Sequence, residues 1–237
     1  MQRYFSDKKI DNKFVLSNDD IHHIKNVMRM KDDDEIVVVY KNIPYLCCIE
    51  NVNKNIGILI KKELEKTIDE CIKINLIVPV LKEQKMDYII QKATELGVFS
   101  IIPFKSERGI VKVNEDNSSK KVSRWQKIAK EASEQSKRNS IPKIHDIKTV
   151  KELEEISGIK VVCSTKEKQK NIKNVLKTYR DCDTMSIVVG PEGGLSEKEE
   201  ETLIKYGFIP VSLGSRIMRV ETVPLYVMSV VNYEFME

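Results

Sequence analysis

Two kinds of apolar pattern divide the 237-residue chain. In the first 70 residues, β-branched runs stand between turn-prone residues: "EIVVVY" (35–40), "YLCCIE" (45–50) and "IGILIKKEL" (56–64). Such runs predict strands. Before them, Ile21, Ile24, Val27 and Met28 recur at helical spacing in "IHHIKNVMRM" (21–30), with Asp19 and Asp20 placed to cap that helix. The expected unit is a small, barrel-like β domain with one helix, followed by a linker at 65–73.

From residue 72 the pattern alternates between strand and helix. Strands are expected at 73–80, 100–104, 143–147, 159–164, 186–189 and 208–213. Helices are expected at 85–98, with Tyr88, Ile89, Ala93 and Leu96 inward, at 120–138, with Trp125, Ile128, Ala129 and Ala132 inward, and at 224–235. This alternation predicts an α/β fold with a mainly parallel sheet covered on both faces. The domain division that follows is 1–70 and 71–237.

Composition narrows the class. No apolar run reaches the length of a bilayer span, and the N-terminus lacks the apolar core of a signal peptide, so a cytoplasmic protein without a membrane partner is expected. The five cysteines form no CxxC pair and lie in strand-like contexts, which predicts reduced core residues. The net charge is +4, but residues 71–150 carry 16 basic against 9 acidic side chains. That concentration fits either a polyanion footprint or a lysine-rich solvated face.

The chemistry-bearing stretches lie at predicted strand ends. The chain lacks GxGxxG, GxxxxGK[ST], HExxH and any metal-spaced cluster, so neither a common nucleotide fold nor a metal is expected. "GPEGGLSEKE" (190–199) follows a strand, and Ser196 with Glu199 forms a capping box that opens a helix. Its glycines let backbone approach a ligand closely, or else make a tight structural turn. "LGSRIMRVETVPL" (213–225) also leaves a strand and enters a helix, with Thr222 available as its cap. Two such loops can wall one pocket at the carboxyl ends of a parallel sheet. Apolar side chains, backbone donors and arginines at the rim suit an adenine-containing ligand beside an anionic partner. "PFKSERGIVK" (103–112) and "EASEQSKRNSIP" (131–142) add basic and polar groups suited to phosphate contacts or to a plain solvated surface.

Together these stretches, with "RYF" (3–5), "HHIKNVMRMKDDDEI" (22–36), "QKATELGV" (91–98) and "RWQKIAKEASEQSKRNSIP" (124–142), resemble the RsmE family of the SPOUT superfamily. The family's members methylate uridine N3 in small-subunit ribosomal RNA. The resemblance implies a PUA-like β-barrel followed by a trefoil-knotted SPOUT methyltransferase domain, working as a homodimer on 16S ribosomal RNA in the small subunit. It implies S-adenosyl-L-methionine as cofactor, held by Ser164, Gly190, Pro191, Glu192, Gly193, Gly194, Leu213, Gly214, Ile217 and Met218. It implies RNA contacts from Arg3, Arg29, Lys31, Arg108, Lys112, Arg124 and Arg138. Met218 stands where leucine is more usual, a volume-conserving change. A ribose-methylating relative would end its second loop in Ser-Leu-Asn, and this chain does not. Arg219, expected to be buried beyond the cofactor loop, is nominated to stabilise charge on the uracil oxygens, with Glu221 either orienting it or accepting the N3 proton. A non-catalytic RNA-binding protein is the alternative from another class.

Overall fold

In the computed structural model, residues 1–51, 56–66, 72–111 and 115–236 are described. The chain divides into two compact units, residues 1–69 with 133–140, and residues 70–132 with 141–237. The segment 133–140 thus groups with the first unit, which a single cut near residue 70 does not anticipate.

The first unit holds strands β1 (Arg3–Phe5), β2 (Lys8–Ile10), β3 (Lys13–Val15), β4 (Glu35–Tyr40), β5 (Ile43–Glu50) and β6 (Gly57–Glu63). They form one sheet in the order β1-β4-β5-β6-β3-β2, antiparallel except for the β1–β4 pair. Tyr4, Phe14, Ile24, Ile36, Val38, Cys47, Ile49 and Ile58 make its core. The helix expected over 21–30 differs in start and form. Ser17 is its cap, accepting from the Asp20 N–H at 3.2 Å, and α1 runs Asn18–His22 before a π-turn over His23–Val27. Asp19 and Asp20 fall in the first turn, where carboxylates suit the helix dipole. The two histidines serve locally: His23 Nδ1 lies 3.0 Å from the Tyr4 hydroxyl, and His22 Nδ1 lies 2.9 Å from Asn26 Nδ2.

The second unit is α/β. Its strands are β7 (Lys73–Pro79), β8 (Ser100–Lys105), β9 (Lys143–Ile144), β10 (Lys148–Thr149), β11 (Ile159–Cys163), β12 (Thr184–Val188) and β13 (Ile209–Val211). The order is β10-β8-β7-β12-β11-β13, with β9 also on β8, and every pair is parallel. The helices are α2 (Glu83–Glu95), α3 (Glu115–Gln135), α4 (Ile172–Thr178), α5 (Glu197–Lys205) and α6 (Thr222–Phe235). Alternate residues of β7 enter different cores: Ile74, Leu76 and Val78 pack in one cluster and Ile77 in another. A strand apolar on both faces belongs inside a sheet covered on both sides, as the alternation predicted. On α2 the inward residues are Met86, Ile89, Ile90 and Ala93, while Tyr88 is exposed. Trp125, Ala129 and Ala132 are buried as expected. Cys47, Cys48, Cys163 and Cys182 are free thiols, and Cys71 lies outside the described residues. No helix among the described residues is long and apolar enough to cross a membrane.

Candidate functional site: a glycine-walled cavity at the strand ends

Neighbouring parallel strands β12, β11 and β13 all end on one side of the sheet. Each is followed by a loop, and the three loops meet around a cavity of about 680 Å³. Ser164, the run Gly190–Gly194, Leu213, Gly214, Ile217, Met218, Arg219 and Glu221 all line it. Every residue nominated for cofactor or catalysis is therefore brought to one place.

The glycines have separate local reasons. A Cβ on Gly190 would stand 3.2 Å from the Leu195 nitrogen and 3.3 Å from its Cγ, so this glycine lets the loop fold upon itself. Gly194 (φ +69°) and Gly214 (φ +114°) take left-handed conformations that other residues adopt only with strain, and nothing lies within 4 Å of where their side chains would be. They leave room at the cavity wall.

The first loop is tied to its neighbours from below. The capping box forms as predicted: Glu199 N–H donates to Ser196 Oγ at 3.1 Å and Ser196 N–H to Glu199 Oε2 at 2.8 Å. The Glu199 side chain, only 3% exposed, reaches further than a cap needs. It also accepts from the Glu107 N–H at 2.8 Å and from Ser106 Oγ at 3.2 Å. From the same loop after β8, Arg108 donates to the Gly193 carbonyl at 3.0 Å. Arg108, nominated for RNA, thus holds the glycine loop, although its side chain is exposed and lines the cavity.

Ser164 is engaged both in its own turn and across to α5. It pairs with Glu200 and accepts from the Lys166 N–H at 3.1 Å. Cys163 beside it has its thiol pushed up to about 12 by burial, which removes it as a nucleophile at neutral pH.

The charged residues depart most from expectation. Arg219 is exposed rather than buried, and its guanidinium makes no ion pair or hydrogen bond with the described residues. On this loop it is the next residue, Val220, that enters the core. Glu221 does not bind Arg219. It faces Lys85, whose ammonium lies 3.3 Å from Glu221 Oε2 and also pairs with Glu192. The Glu221 carboxyl is held below its ordinary 4.5, first by its own backbone N–H and then by Lys85. Lys85 is raised above 10.5, chiefly by its hydrogen bond to Glu192. Thr222 does not cap α6: the helix begins on it, Glu221 occupies the cap position, and no side-chain cap bond forms.

Sequence reasoning missed Lys85, Glu200 and the double reach of Glu199. Lys85 lies over 100 residues from its partners, in a lysine-rich helix start, and no local signal marks it.

The RNA nominees separate. Arg29 and Lys31 are exposed. Arg124 is taken up by a two-pronged pair with Asp87 at 2.7 and 2.8 Å. Arg3 donates to Asn139 Oδ1 at 2.6 Å and to the Arg138 carbonyl at 2.9 Å. Arg138, expected at the RNA backbone, is instead buried at 6% exposure, because 133–140 packs into the first unit. Lys112 lies outside the described residues.

The parallel sheet with the glycine-walled cavity at its strand ends belongs to an RNA methyltransferase domain. Residues 69–232 match the RNA methyltransferase domain family, and residues 16–62 match the RNA methyltransferase PUA domain. Ribosomal RNA small subunit methyltransferase E of Bacillus subtilis is 34% identical over 248 residues, covering 99% of this chain and 97% of that protein. The protein of the same name from Mesomycoplasma hyopneumoniae is 34% identical over 231 residues, covering 97% and 98%. The crystal structure of ribosomal RNA small subunit methyltransferase E from Neisseria gonorrhoeae bound to S-adenosyl methionine superposes with a TM-score of 0.88 at 29% identity, covering 98% of this chain and 97% of that one. The chain belongs to the ribosomal RNA small subunit methyltransferase E family.

The residues present fit that cofactor. Gly194 and Gly214 leave open space at the wall, Ile217, Met218 and Val223 supply apolar surface, and the loop backbones supply polar groups.

Proposed function

We propose that the protein transfers a methyl group from S-adenosyl-L-methionine to N3 of a specific uridine in 16S ribosomal RNA of the small subunit. The observation that carries this reading is the convergence of the 190–194 and 213–221 loops on one cavity at the strand ends. Full-length kinship with enzymes named for small-subunit ribosomal RNA supports the substrate. When bound, S-adenosylmethionine supplies the electrophilic methyl group.

The chain's own residues supply position and charge. Neutral uracil carries a proton on N3, which must leave as the N–C bond forms. Arg219, exposed at the cavity and free of ion pairs among the described residues, is placed to receive the negative charge spreading onto O2 and O4. Glu221 pairs with Lys85 rather than with Arg219, so it does not orient Arg219 and its remaining role is to accept the N3 proton as a carboxylate. N3 lies on the pairing edge, so the target base has to be unpaired or splayed out.

In this reading residues 1–70 form the RNA-holding PUA-like domain and 71–237 the methyltransferase domain, with the two cavity loops as its trefoil knot. Arg29 and Lys31 contact the RNA backbone, with Arg3, Arg108, Lys112 and Arg124 as further candidates. The working form is a cytoplasmic homodimer, and the exposed Tyr226, Tyr233 and Met236 of the α6 region offer an apolar face for it.

The test is methylation of small subunits or their RNA lacking the modification, followed by mass spectrometry of digested nucleosides. 3-Methyluridine is the expected product. A ribose-methylated nucleoside would move the chain to another branch of the superfamily. RNA binding without any product would leave a non-catalytic RNA-binding protein.

A further inference from the structure

We propose that Lys85 is a positioning residue for this reaction, fixing the Glu221 carboxylate and joining both cavity loops to helix α2. The proposal rests on the methyltransferase reading above.

Lys85 belongs to neither loop. It sits in the first turn of α2, and its ammonium meets Glu192 from the first loop and Glu221 from the end of the second. All three residues line the cavity. The Glu221 Oε2 atom is buried and makes no hydrogen bond, so the 3.3 Å approach of Lys85 is an ion pair without hydrogen-bond alignment. Arg219 acts on Glu221 only through its more distant charge. Lys85 is therefore the close counter-ion of a buried carboxylate oxygen beside the site.

Without Lys85, the Glu192 and Glu221 carboxylates would face one another uncompensated. Like charges favour protonation of one member of the pair and push their loops apart. The three side chains remain 34%, 36% and 20% exposed. Ion pairs that open contribute little to fold stability. The arrangement matters for where charge stands, more than for holding the chain folded.

The charged groups facing Glu221 are Lys85 from α2, Arg219 from its own loop and, through Lys85, Glu192 from the first loop. A carboxyl held low is an anion above its folded value and protonates below it. Loss of Lys85 raises that value, so activity requiring the anion should fail at higher pH than in wild type.

The test compares wild type, Lys85→Met and Lys85→Arg, with Glu221→Gln to assign the Glu221 resonance. Carbon-13 carboxyl NMR follows the Glu221 titration with no cofactor or RNA present. In parallel, kcat/KM on small subunits is measured against pH, together with melting temperature and S-adenosylmethionine affinity. In Lys85→Met, the proton affinity of Glu221 should rise about tenfold. The acid limb of kcat/KM should move up with it, the melting temperature should change little, and Lys85→Arg should restore both profiles. An unchanged Glu221 titration in Lys85→Met overturns the proposal. So does a parallel fall in melting temperature and rate without a moved acid limb, which would leave Lys85 merely structural. An inactive wild type would sink the methyltransferase reading instead, while the NMR titration still decides the Lys85–Glu221 link.

Discussion

The Glu107 backbone N–H donates to Glu199 Oε1 at 2.8 Å, so a helix-capping carboxylate also anchors the loop that follows another strand. The same carboxylate caps α5 and receives Ser106. Glu199→Ala would take the carboxylate acceptor from the partly buried amides of Glu107 and Ser196 together, at about 1–2 kcal/mol for each hydrogen bond lost. The expected outcome is a melting temperature lower by roughly 5–10 °C, with weaker S-adenosylmethionine binding as the glycine loop loosens. Calorimetry of the variant decides. An unchanged melting temperature would mean water replaces the carboxylate without loss.

Gly214 sits at φ +114°, where a β-branched residue is strained. Gly214→Val should cost about 1–3 kcal/mol of local strain, taken largely from the loop's ability to close the cavity. S-adenosylmethionine affinity, read by isothermal titration, should fall at least about tenfold. Equal affinity in a folded variant would remove this loop from the cofactor site.

Arg219 has no structural partner to lose among the described residues. Arg219→Ala should therefore leave melting temperature and cofactor affinity near wild type. Its kcat should drop by roughly 10²–10³, the usual effect of removing one donor from developing charge. Loss of cofactor binding in step with kcat would reassign Arg219 to the cofactor.

Arg29 and Lys31 are open to solvent, whereas Arg138 is buried. Replacing Arg29 and Lys31 by Ala should lower the slope of log RNA affinity against log salt by about one per lost phosphate contact, with stability kept. Arg138→Ala should instead lower stability without first changing that slope. Filter binding at several salt concentrations, beside a thermal melt, separates the two. The reverse pattern would overturn the division.

Much of this architecture was legible in the chain. The runs that form β7 and β12 are rich in β-branched residues, broken only by Asn75 and Ser186, so they read as strands from the chain alone. The Ser196–Glu199 spacing announced the start of α5, because a capping box is made within four residues. The glycine loops were legible because their conformations need glycine. Less local features were not. The start of α1 at Asn18, capped by Ser17, escaped because two acidic residues beside it offer equally plausible caps.

Neighbours along the chain carried the two kinds of apolar pattern, the alternation of strand and helix, the capping box, the two glycine-marked loops and, through them, the family resemblance. What depends on meetings across the chain was set in the folded molecule. Folding buried Arg138 in the first unit, tied Arg108 to Gly193, left Arg219 exposed, and set Lys85 between Glu192 and Glu221. The physical reason is range. Dihedral preference and hydrophobic period act over a few residues. A charge finds its partner only after parallel strands have carried distant loops to the same end of a sheet.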